Sequence, residues 1–459
     1  MKVRRVMRTG VLRRSRALIV SKSHWQTRLV FWAGALATGL VSVIFALMAD
    51  HAQAVFHGLV NGEVGNRWLP LVVTPLGMML CAWIANVWFH GSQGSGIPQA
   101  IAARHFRNPA DRRLLLSLRL VLGKIVLTVL ALGFGASVGR EGPTVQIGAS
   151  IMLMSARIGG MARAKGLILA GSAAGIAAAF NTPLAGILFA LEEMSRSNMP
   201  RTNGVILSAV VIAGAASVLI LGPYTYFGEA SSTAALPDDL PLVLACGVLG
   251  GFLGAGFSKG VLALTRRIRR FWQSRRLARV LAVSGLAGLI VAVIGVWTDG
   301  TTFGTSYEYA RAAVEGQPLP TDFFLLKLIS TLASTVSGVP GGLFAPSLAV
   351  GAGMGSVVGE FLSSDIGLAA ILGMAGYFAG VVQAPLTAFV IVFEMTGNHG
   401  NVIPIMASSM IGYGVSRLIL AESLYGALAR LWIADILRQT RAVEHEATNR
   451  ADEAERTGP

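Results

Sequence analysis

Residues 29–48 read LVFWAGALATGLVSVIFALM, twenty consecutive residues without a charged side chain. A helix of about 20 apolar residues is long enough to cross a hydrocarbon core roughly 30 Å thick. The run is too long for the apolar core of a secretory signal peptide, and no clear small-residue cleavage site follows it. It therefore predicts a transmembrane helix near the start of the chain.

The composition of the whole chain supports the same class of protein. Of 459 residues, 53% are hydrophobic and only 13% are charged, whereas soluble domains carry about 25% charged residues. So few charges could not cover the surface of soluble domains. The only cysteines, Cys81 and Cys246, lie in apolar stretches, which argues against a disulfide framework or a thiolate metal cluster. We expect an all-α polytopic membrane protein without a metal or organic cofactor.

Further apolar segments follow along the chain in two length classes. Long segments, read as spanning helices, occupy 29–48, 69–89, 114–134, 204–222, 241–264, 280–297, 323–336 and 402–420. Shorter ones, interrupted by Gly and Pro, occupy 143–154, 166–180, 183–194, 346–360, 366–382 and 385–396. The shorter pieces predict broken helices that do not cross the bilayer upright. Glycines at 247, 250, 251 and 254 predict close helix–helix contacts.

The net charge of +15 is distributed over several clusters rather than one patch, which argues against nucleic acid as a partner. The first 28 residues hold nine Lys or Arg and no acid. Other basic clusters lie at 104–119, 157–165 and 266–279, whereas 229–239 and 299–315 are relatively acidic. The positive-inside rule predicts a cytoplasmic N-terminus, and contact with lipid headgroups accounts for each basic cluster. The short polar tail is predicted to be disordered.

An internal repeat divides the membrane region into two halves. A shift of 203 residues aligns Lys124, Thr128, Gly139, Pro143 and Gly148 with Lys327, Thr331, Gly342, Pro346 and Gly351. A shift of 202 aligns Gly171, Pro183, Leu184 and Glu192 with Gly373, Pro385, Leu386 and Glu394. We predict a basic cytoplasmic segment (1–28), two repeat halves (29–230 and 231–435) and a polar tail (436–459). Repeats of this kind in transporters indicate a substrate site between the halves.

Three Gly-rich turns end in Pro before an apolar run, at 94–98, 139–143 and 341–346. Each resembles the start of a helix, because Pro is favoured where a helix begins and Gly lets the backbone approach a ligand. A half-helix that starts at membrane depth directs free N–H groups and a positive dipole end into the protein. The turns therefore predict an anion site. The alternative is that they break helices only for packing.

Two polar side chains stand in these turns. Ser95 offers a hydroxyl donor, or serves only as a helix cap. Glu141 follows Arg140, and its carboxylate could compete with an anion for the same N–H groups and leave on protonation. Glu141 is therefore a candidate pH-dependent gate, unless it pairs permanently with Arg140.

Two more ionisable groups lie in or beside apolar runs of the first half. Glu192 has a repeat counterpart in Glu394 and is expected to be structural, whereas Glu193 is unique to the first half. We predict that Glu193 is a second proton carrier. Lys124 is expected to act as the counter-ion of a buried carboxylate, although its counterpart Lys327 weakens any unique role.

Together these motifs resemble the CLC family of chloride channels and proton-coupled chloride exchangers. The three turns stand in the family's order, and Pro183-Leu184-Ala185-Gly186 leads to Glu192-Glu193-Met194, with an echo at 385–395. The resemblance covers about residues 29–432. It implies an all-α inverted repeat of two halves with many tilted and broken helices. It also implies a homodimer in the lipid bilayer, in which each subunit has its own anion pathway.

The resemblance assigns an anion-binding role to residues of the three turns and of a late segment. Hydroxyls of Ser95 and Tyr425 would donate to a central anion, together with the N–H groups of Leu343 and Phe344. The further anion-binding positions are Gly94 of the first turn and, at an outer site, Arg140 and Gly142. Ser at position 95, where nitrate-selective relatives can carry Pro, suggests chloride.

The resemblance also assigns the proton route. Glu141 matches the gating glutamate, and Glu193 matches the inner proton-transfer glutamate that exchangers carry and channels generally lack. Gln99 and Ile101 stand where relatives can carry acids, which makes proton entry from the cytoplasm less well supported than anion binding. The family's C-terminal nucleotide-binding regulatory pair is absent from the short tail.

These observations favour a proton-coupled chloride exchanger over two alternatives. The first alternative is an uncoupled chloride channel gated by voltage or pH. The second, an intramembrane enzyme, has little support because neither a nucleophile–base pair nor a metal set is visible in the repeated motifs. The predicted partners are chloride, protons, lipid and a second copy of the chain.

Overall fold

The computed structural model describes residues 22–61, 66–161, 164–194, 203–222, 225–228, 232–235, 237–271 and 276–456. Most of the basic segment 1–28 lies outside these ranges. Within them the chain forms eighteen α-helices, and its only extended pairings are two isolated bridges. The all-α architecture predicted from the sequence is therefore confirmed.

The helices follow one another along the chain with short connections. Those of the first half are α1 Lys22–Asn61, α2 Pro70–Val87, α3 Ile97–His105, α4 Pro109–Arg113, α5 Leu118–Gly133, α6 Glu141–Ile158, α7 Ala164–Phe180, α8 Pro183–Phe189 and α9 Asn203–Leu221. Those of the second half are α10 Leu240–Phe271, α11 Arg276–Trp297, α12 Tyr307–Val314, α13 Phe323–Val336, α14 Phe344–Leu362, α15 Ile366–Val382, α16 Pro385–Thr396, α17 Val402–Ile419 and α18 Leu424–Arg456. A π-helical turn, Ala190–Met194, extends α8.

Eight helices of the described part are long and apolar enough to cross a membrane. Seven of them overlap long segments predicted from the sequence, and one of the seven, Pro109–Gly133, combines α4 and α5. The eighth is α14, which begins inside its Gly-rich turn and so reaches 19 residues. The predicted span 323–336 is instead the 14-residue helix α13, which is shorter than a span.

The prediction of a disordered C-terminal tail is wrong for the described residues. Helix α18 continues from Leu424 to Arg456. Its polar end is rich in Ala, Glu and Arg, which have high helix propensity, so it extends a helix whose start is packed. The low hydropathy of the C-terminal tail indicates that it has no apolar face to bury, but a segment without such a face can still be helical.

The two halves repeat the same helix-pair contacts. Helix α6 packs on α7, as α14 packs on α15, and α7 packs on α9, as α15 packs on α17. In each half these helices approach at backbone distance through glycines aligned by the repeat: Gly148 against Gly171, and Gly351 against Gly373. Between the halves, α2 contacts α11 and α8 contacts α16. The second half therefore follows the first, and the two meet around a pseudo-twofold axis.

The glycine-rich helix α10 shows how small residues position these elements. Gly250 and Gly254 lie against the backbone of α15, where a Cβ would overlap Tyr377 or Gly380. The glycines at 247 and 251 lie against α17 on the neighbouring face. The expected close contacts are thus present, and α10 fits between two helices at backbone distance.

Glutamates tie the two halves together crosswise. The Glu192 carboxylate accepts hydrogen bonds from the N–H groups of Leu386 (3.1 Å) and Thr387 (2.7 Å) and from the Thr387 hydroxyl (2.8 Å). Glu394 accepts in the same way from the N–H groups of Leu184 (3.1 Å) and Ala185 (2.7 Å). Each carboxylate therefore caps the half-helix of the other half, and both are structural groups, as the repeat suggested for Glu192.

Candidate anion and proton site

The three Gly-rich turns meet where the halves join. Gly139 and Gly342, equivalent in the repeat, exchange backbone hydrogen bonds of 2.7 and 2.6 Å in an antiparallel bridge. The N–H of Gly341 donates to the carbonyl of Gly94 (3.2 Å). The N-termini of α3, α6 and α14 are thereby brought to one place in the protein interior.

The prolines of these turns lie deeper in the helices than expected. Helix α6 begins at Glu141 and α14 at Phe344, so Pro143 and Pro346 occupy the third helical position and not the first. Pro costs no hydrogen bond anywhere in the first turn, because those N–H groups have no acceptor within the helix. The earlier starts place Glu141 and Phe344 at the helix ends themselves.

The N-terminus of α14 presents backbone donors to the site. The N–H groups of Leu343 and Phe344 donate to no carbonyl or side chain among the described residues. The next N–H, of Ala345, points at the Glu141 carboxylate with an N–O distance of 3.5 Å. Because both residues and the helix start are buried, these N–H groups have no access to bulk water and are suited to an anion.

Glu141 is fully buried at the first position of α6. Its Oε2 faces Ala345 across the halves, whereas Oε1 has no hydrogen-bond partner. An ionised carboxylate is held here by the dipole ends of two helices, by its own N–H and the long hydrogen bond from Ala345, and by the nearby charge of Arg140. Protonation would weaken that hold without removing a well-formed ion pair.

Arg140 does not form the permanent pair with Glu141 that was the alternative to a gate. Its Nη1 donates to Asp50 Oδ1 (2.5 Å) and to the Ala46 carbonyl (2.8 Å), both on α1, and its guanidinium lies 5.7 Å from the ring centre of Tyr226. The arginine is thus fixed to α1. Asp50 was missed by the sequence reasoning, since one acid at the end of an apolar run carries no signal of its partner.

Two buried hydroxyls lie next to each other at the centre of the site. Ser95 precedes α3, and Tyr425 lies in the first turn of α18, far away in sequence. Neither hydroxyl forms a hydrogen bond of normal geometry with a described residue. Gly142 lies beside Ser95, so closely that a Cβ there would overlap the serine Oγ. The structure brings the Ser95 and Tyr425 hydroxyls together, and their donation to a central anion stays a prediction.

The start of α14 is held by aromatic contacts. The Phe344 ring packs against Phe378 at a centroid distance of 4.7 Å, and against Tyr425 at 6.1 Å. Phe180 is stacked on the other side at 6.4 Å. These contacts join α7, α15 and α18 to the helix that presents the free N–H groups, which fixes their direction.

Glu193 lies on the π-helical turn that follows α8 and is only 3% exposed. A π-helical turn is typical of functional positions, since it redirects a side chain within a helix.

The expectation that Lys124 is the counter-ion of a buried carboxylate is wrong. Its ammonium donates to the carbonyls of Ser92 (2.5 Å) and Gly94 (2.7 Å). Lys327 makes the equivalent bonds to Thr302 and Gly304 in the second half. In each half, two carbonyl groups of a tight loop accept hydrogen bonds from the lysine ammonium. Because both halves have this arrangement, the two lysines are best explained as structural residues that stabilise the loop.

Two buried amides complete the support of the first turn. Gln99 donates to the carbonyl of Gln93 (2.5 Å), and Gln146 donates to those of Gly91 (3.1 Å) and Leu115 (2.8 Å). Gln146 was missed by the sequence reasoning.

Within the described ranges, His, Cys, Asp and Glu form no group that could hold a metal ion.

Comparison with known proteins identifies the class. The family model described as voltage gated chloride channel matches residues 77–417. The H(+)/Cl(-) exchange transporter ClcA of Salmonella paratyphi A is 30% identical over 421 residues, covering 85% of each chain. ClcA of Klebsiella pneumoniae is 29% identical and covers 94% of this chain and 93% of its own. The chain therefore belongs to the voltage-gated chloride channel (CLC) family and is a multi-pass integral membrane protein.

Solved structures show the same fold. A slow cyanobacterial Cl-/H+ antiporter is similar with a TM-score of 0.78 and 25% identity, covering 89% of this chain and 98% of its own. A CLC-type fluoride/proton antiporter is similar with a TM-score of 0.73 and 24% identity, covering 89% and 99%. The CLC-like inverted repeat expected from the motifs is thus confirmed.

Proposed function

We propose that this protein exchanges chloride for protons across the membrane. The observation that carries the proposal is the position of Glu141, a buried carboxylate at one half-helix start that faces the N–H of Ala345 at another. The relatives named as H(+)/Cl(-) exchange transporters support proton coupling. They are transporters by name, and the absence of an enzymatic activity in this protein stays a prediction.

Chloride would bind to the donors that have no acceptor at normal hydrogen-bond geometry among the described residues. These are the hydroxyls of Ser95 and Tyr425 and the N–H groups of Leu343 and Phe344. No full positive charge contacts the anion, so it is held by hydrogen bonds and helix dipoles alone. Binding of this kind is strong enough for selection and weak enough for release. Gly94, Arg140 and Gly142 belong to the turns that shape the site, and Arg140 acts through its bond to α1.

Glu141 would alternate between two roles. Ionised, it is drawn to the helix starts and blocks the anion path. Protonated, it loses that attraction and moves aside, so that an anion can take its place while the acid carries one proton. Glu193 would receive or supply this proton on the inner side, and its burial on the π-helical turn after α8 supports this role. One conformational cycle then moves anions and protons in opposite directions.

The test is proton movement in liposomes of purified protein under an imposed chloride gradient, with the voltage clamped and a chloride-free control. We expect chloride to drive protons uphill. Glu141→Gln should keep chloride flux and abolish proton movement, and Glu193→Gln should also uncouple. Glu360→Gln, on an exposed position of α14, is the matched control and should couple normally.

Chloride flux without proton movement in the unmodified protein would contradict exchange. The protein would then be an uncoupled channel, the alternative raised by the sequence, and Glu193 would be only a helix end. Unchanged proton movement in Glu141→Gln or Glu193→Gln would reject that residue's assignment while leaving exchange itself in place.

We also propose a homodimer in the bacterial inner membrane, with a cytoplasmic N-terminus. The dimer rests on the family resemblance. The orientation rests on the nine basic residues before position 29. The boundary of the repeat halves between 230 and 231 stays a prediction. Cross-linking in native membranes tests the dimer, and labelling of a single added N-terminal cysteine by an impermeant reagent, in whole cells against inverted vesicles, tests the orientation.

A further inference from the structure

A cavity lined by three arginines lies away from the anion site, between α4 and the C-terminal end of α6. Its volume is about 320 Å³, and its walls are Pro109, Arg112, Arg113, Leu153, Ala156, Arg157 and Met161. This volume falls in the range of about 300–1,000 Å³ that is typical of ligand pockets. We call these residues the arginine pocket.

Among the described side chains, no acidic group pairs with the arginines of the arginine pocket. Arg112 and Arg113 repel Arg157 electrostatically, and none of the three belongs to an ion pair between described residues. The neighbouring acid, Asp111, accepts from the hydroxyl of Thr440 at 3.5 Å. Three like charges held together at one cavity favour a bound anion.

The hydrogen-bonding capacity of these arginines is also largely unused. Arg112 donates through Nε to the Phe106 carbonyl (2.9 Å), which anchors its stem and leaves the two terminal nitrogens. The guanidinium groups of Arg113 and Arg157 are exposed and form no hydrogen bond with a described residue. Planar guanidinium groups bind phosphate oxygens in pairs, which makes a phosphate group the natural ligand.

Apolar neighbours place the arginine pocket at the membrane boundary. Leu153, Ala156 and Met161 form its apolar wall. Gly159, at the end of α6, lies against Val30 of α1. On the same end of α1, Trp25 and Trp32 are 40% and 41% exposed and in edge contact with each other, which is typical of the interface between bilayer and water. The walls thus offer cationic groups on one side and apolar surface on the other.

We propose that the arginine pocket binds a phosphate group at the membrane surface, supplied by the headgroup of an anionic phospholipid. The phosphate would lie among the guanidinium groups, and the glycerol and first methylenes would cover Leu153 and Met161. The arginine pocket is separate from the anion and proton site. A lipid bound there would link α4 to the C-terminal end of α6, a role that an acidic side chain could otherwise fill.

The test is native mass spectrometry of the delipidated full-length protein, titrated with phosphatidylglycerol, with phosphatidylcholine or with inorganic phosphate. The variant is Arg112→Gln/Arg113→Gln/Arg157→Gln. The matched control, Arg266→Gln/Arg267→Gln/Arg270→Gln, removes the same charge from exposed positions of α10. Chloride flux in liposomes verifies that both variants are folded.

We expect phosphatidylglycerol to bind the unmodified protein and the control, and the arginine pocket variant to bind it at least roughly tenfold more weakly than the control. Equal losses in both variants would overturn the proposal, since attraction by net charge would explain them. Saturation by inorganic phosphate without preference for the lipid would overturn the lipid source. If the arginine pocket variant loses chloride flux, and so does not fold, Arg112→Lys/Arg113→Lys/Arg157→Lys replaces it in the titration. This variant keeps the positive charge and should bind phosphatidylglycerol measurably.

Discussion

Replacing either crosswise glutamate by alanine should destabilise the protein, and Glu192→Ala should do so more than Glu394→Ala. Glu192 accepts two N–H bonds and one hydroxyl bond from the start of α16, whereas Glu394 accepts two N–H bonds from the start of α8. Loss of a helix cap costs about 0.5–2 kcal/mol, and each bond to a charged group adds to that. Partial exposure of both carboxylates lets water replace some of these bonds. We expect losses of about 2–4 kcal/mol for Glu192→Ala and about 1–3 kcal/mol for Glu394→Ala.

Unfolding can be followed without a label, because Cys81 and Cys246 are both buried and become reactive only when the helices separate. A thiol-reactive dye in detergent solution then reports the midpoint of thermal unfolding. Glu192→Gln keeps one acceptor oxygen but turns an NH₂ group toward the second N–H. It should therefore lose most of the stability that Glu192→Ala loses.

Glu360→Ala, on the exposed side of α14, removes a carboxylate that caps nothing and is the control. The reasoning is refuted if Glu192→Ala and Glu394→Ala unfold within about 0.5 kcal/mol of that control, the range of ordinary surface substitutions. A larger effect of Glu394→Ala than of Glu192→Ala would refute the hydrogen-bond count even if both were destabilising.

Two other substitutions test the anion site and its support. Gly142→Ala places a Cβ on the Ser95 hydroxyl, so chloride affinity measured by calorimetry should fall about tenfold. The control is Gly58→Ala, which has open space around the new Cβ and should bind chloride normally. Equal chloride affinities of the two variants would contradict the role of the Ser95 hydroxyl. Asp50→Asn leaves Arg140, whose side chain is 5% exposed, without its carboxylate partner. The free energy of unfolding should fall by about 1–3 kcal/mol, and proton coupling should weaken because Arg140 can turn toward Glu141. Unchanged unfolding and unchanged coupling would show that the Asp50–Arg140 pair is dispensable.

The membrane class, the repeat and the interrupted helices were predictable from the sequence because each rests on a local pattern. Apolar runs of span length predict helices whatever surrounds them. Glycine and proline at constant offsets indicate equivalent turns in two halves, and such turns end at helix starts wherever they occur. The candidate gate Glu141 could be identified because a carboxylate at a buried helix start is rare and costly.

Partners across the structure were not predictable in the same way. Lys124 was assigned to a carboxylate but clamps two carbonyls, and Arg140 was considered for Glu141 but binds Asp50. Such choices depend on which of several distant groups the packing brings within about 3 Å, and a local pattern contains no such distances. The start of α14, two residues earlier than its proline suggested, was likewise settled by the helix it packs against.

The sequence by itself determined that this chain forms apolar helices in two similar halves with interrupted helices at equivalent positions, because helix length and turn chemistry are properties of neighbouring residues. Only the tertiary structure decided that Ser95 meets Tyr425, that each half caps the other through Glu192 and Glu394, and that three arginines surround one cavity. These arrangements require segments that are distant in sequence to pack together, and that packing is a property of the whole chain.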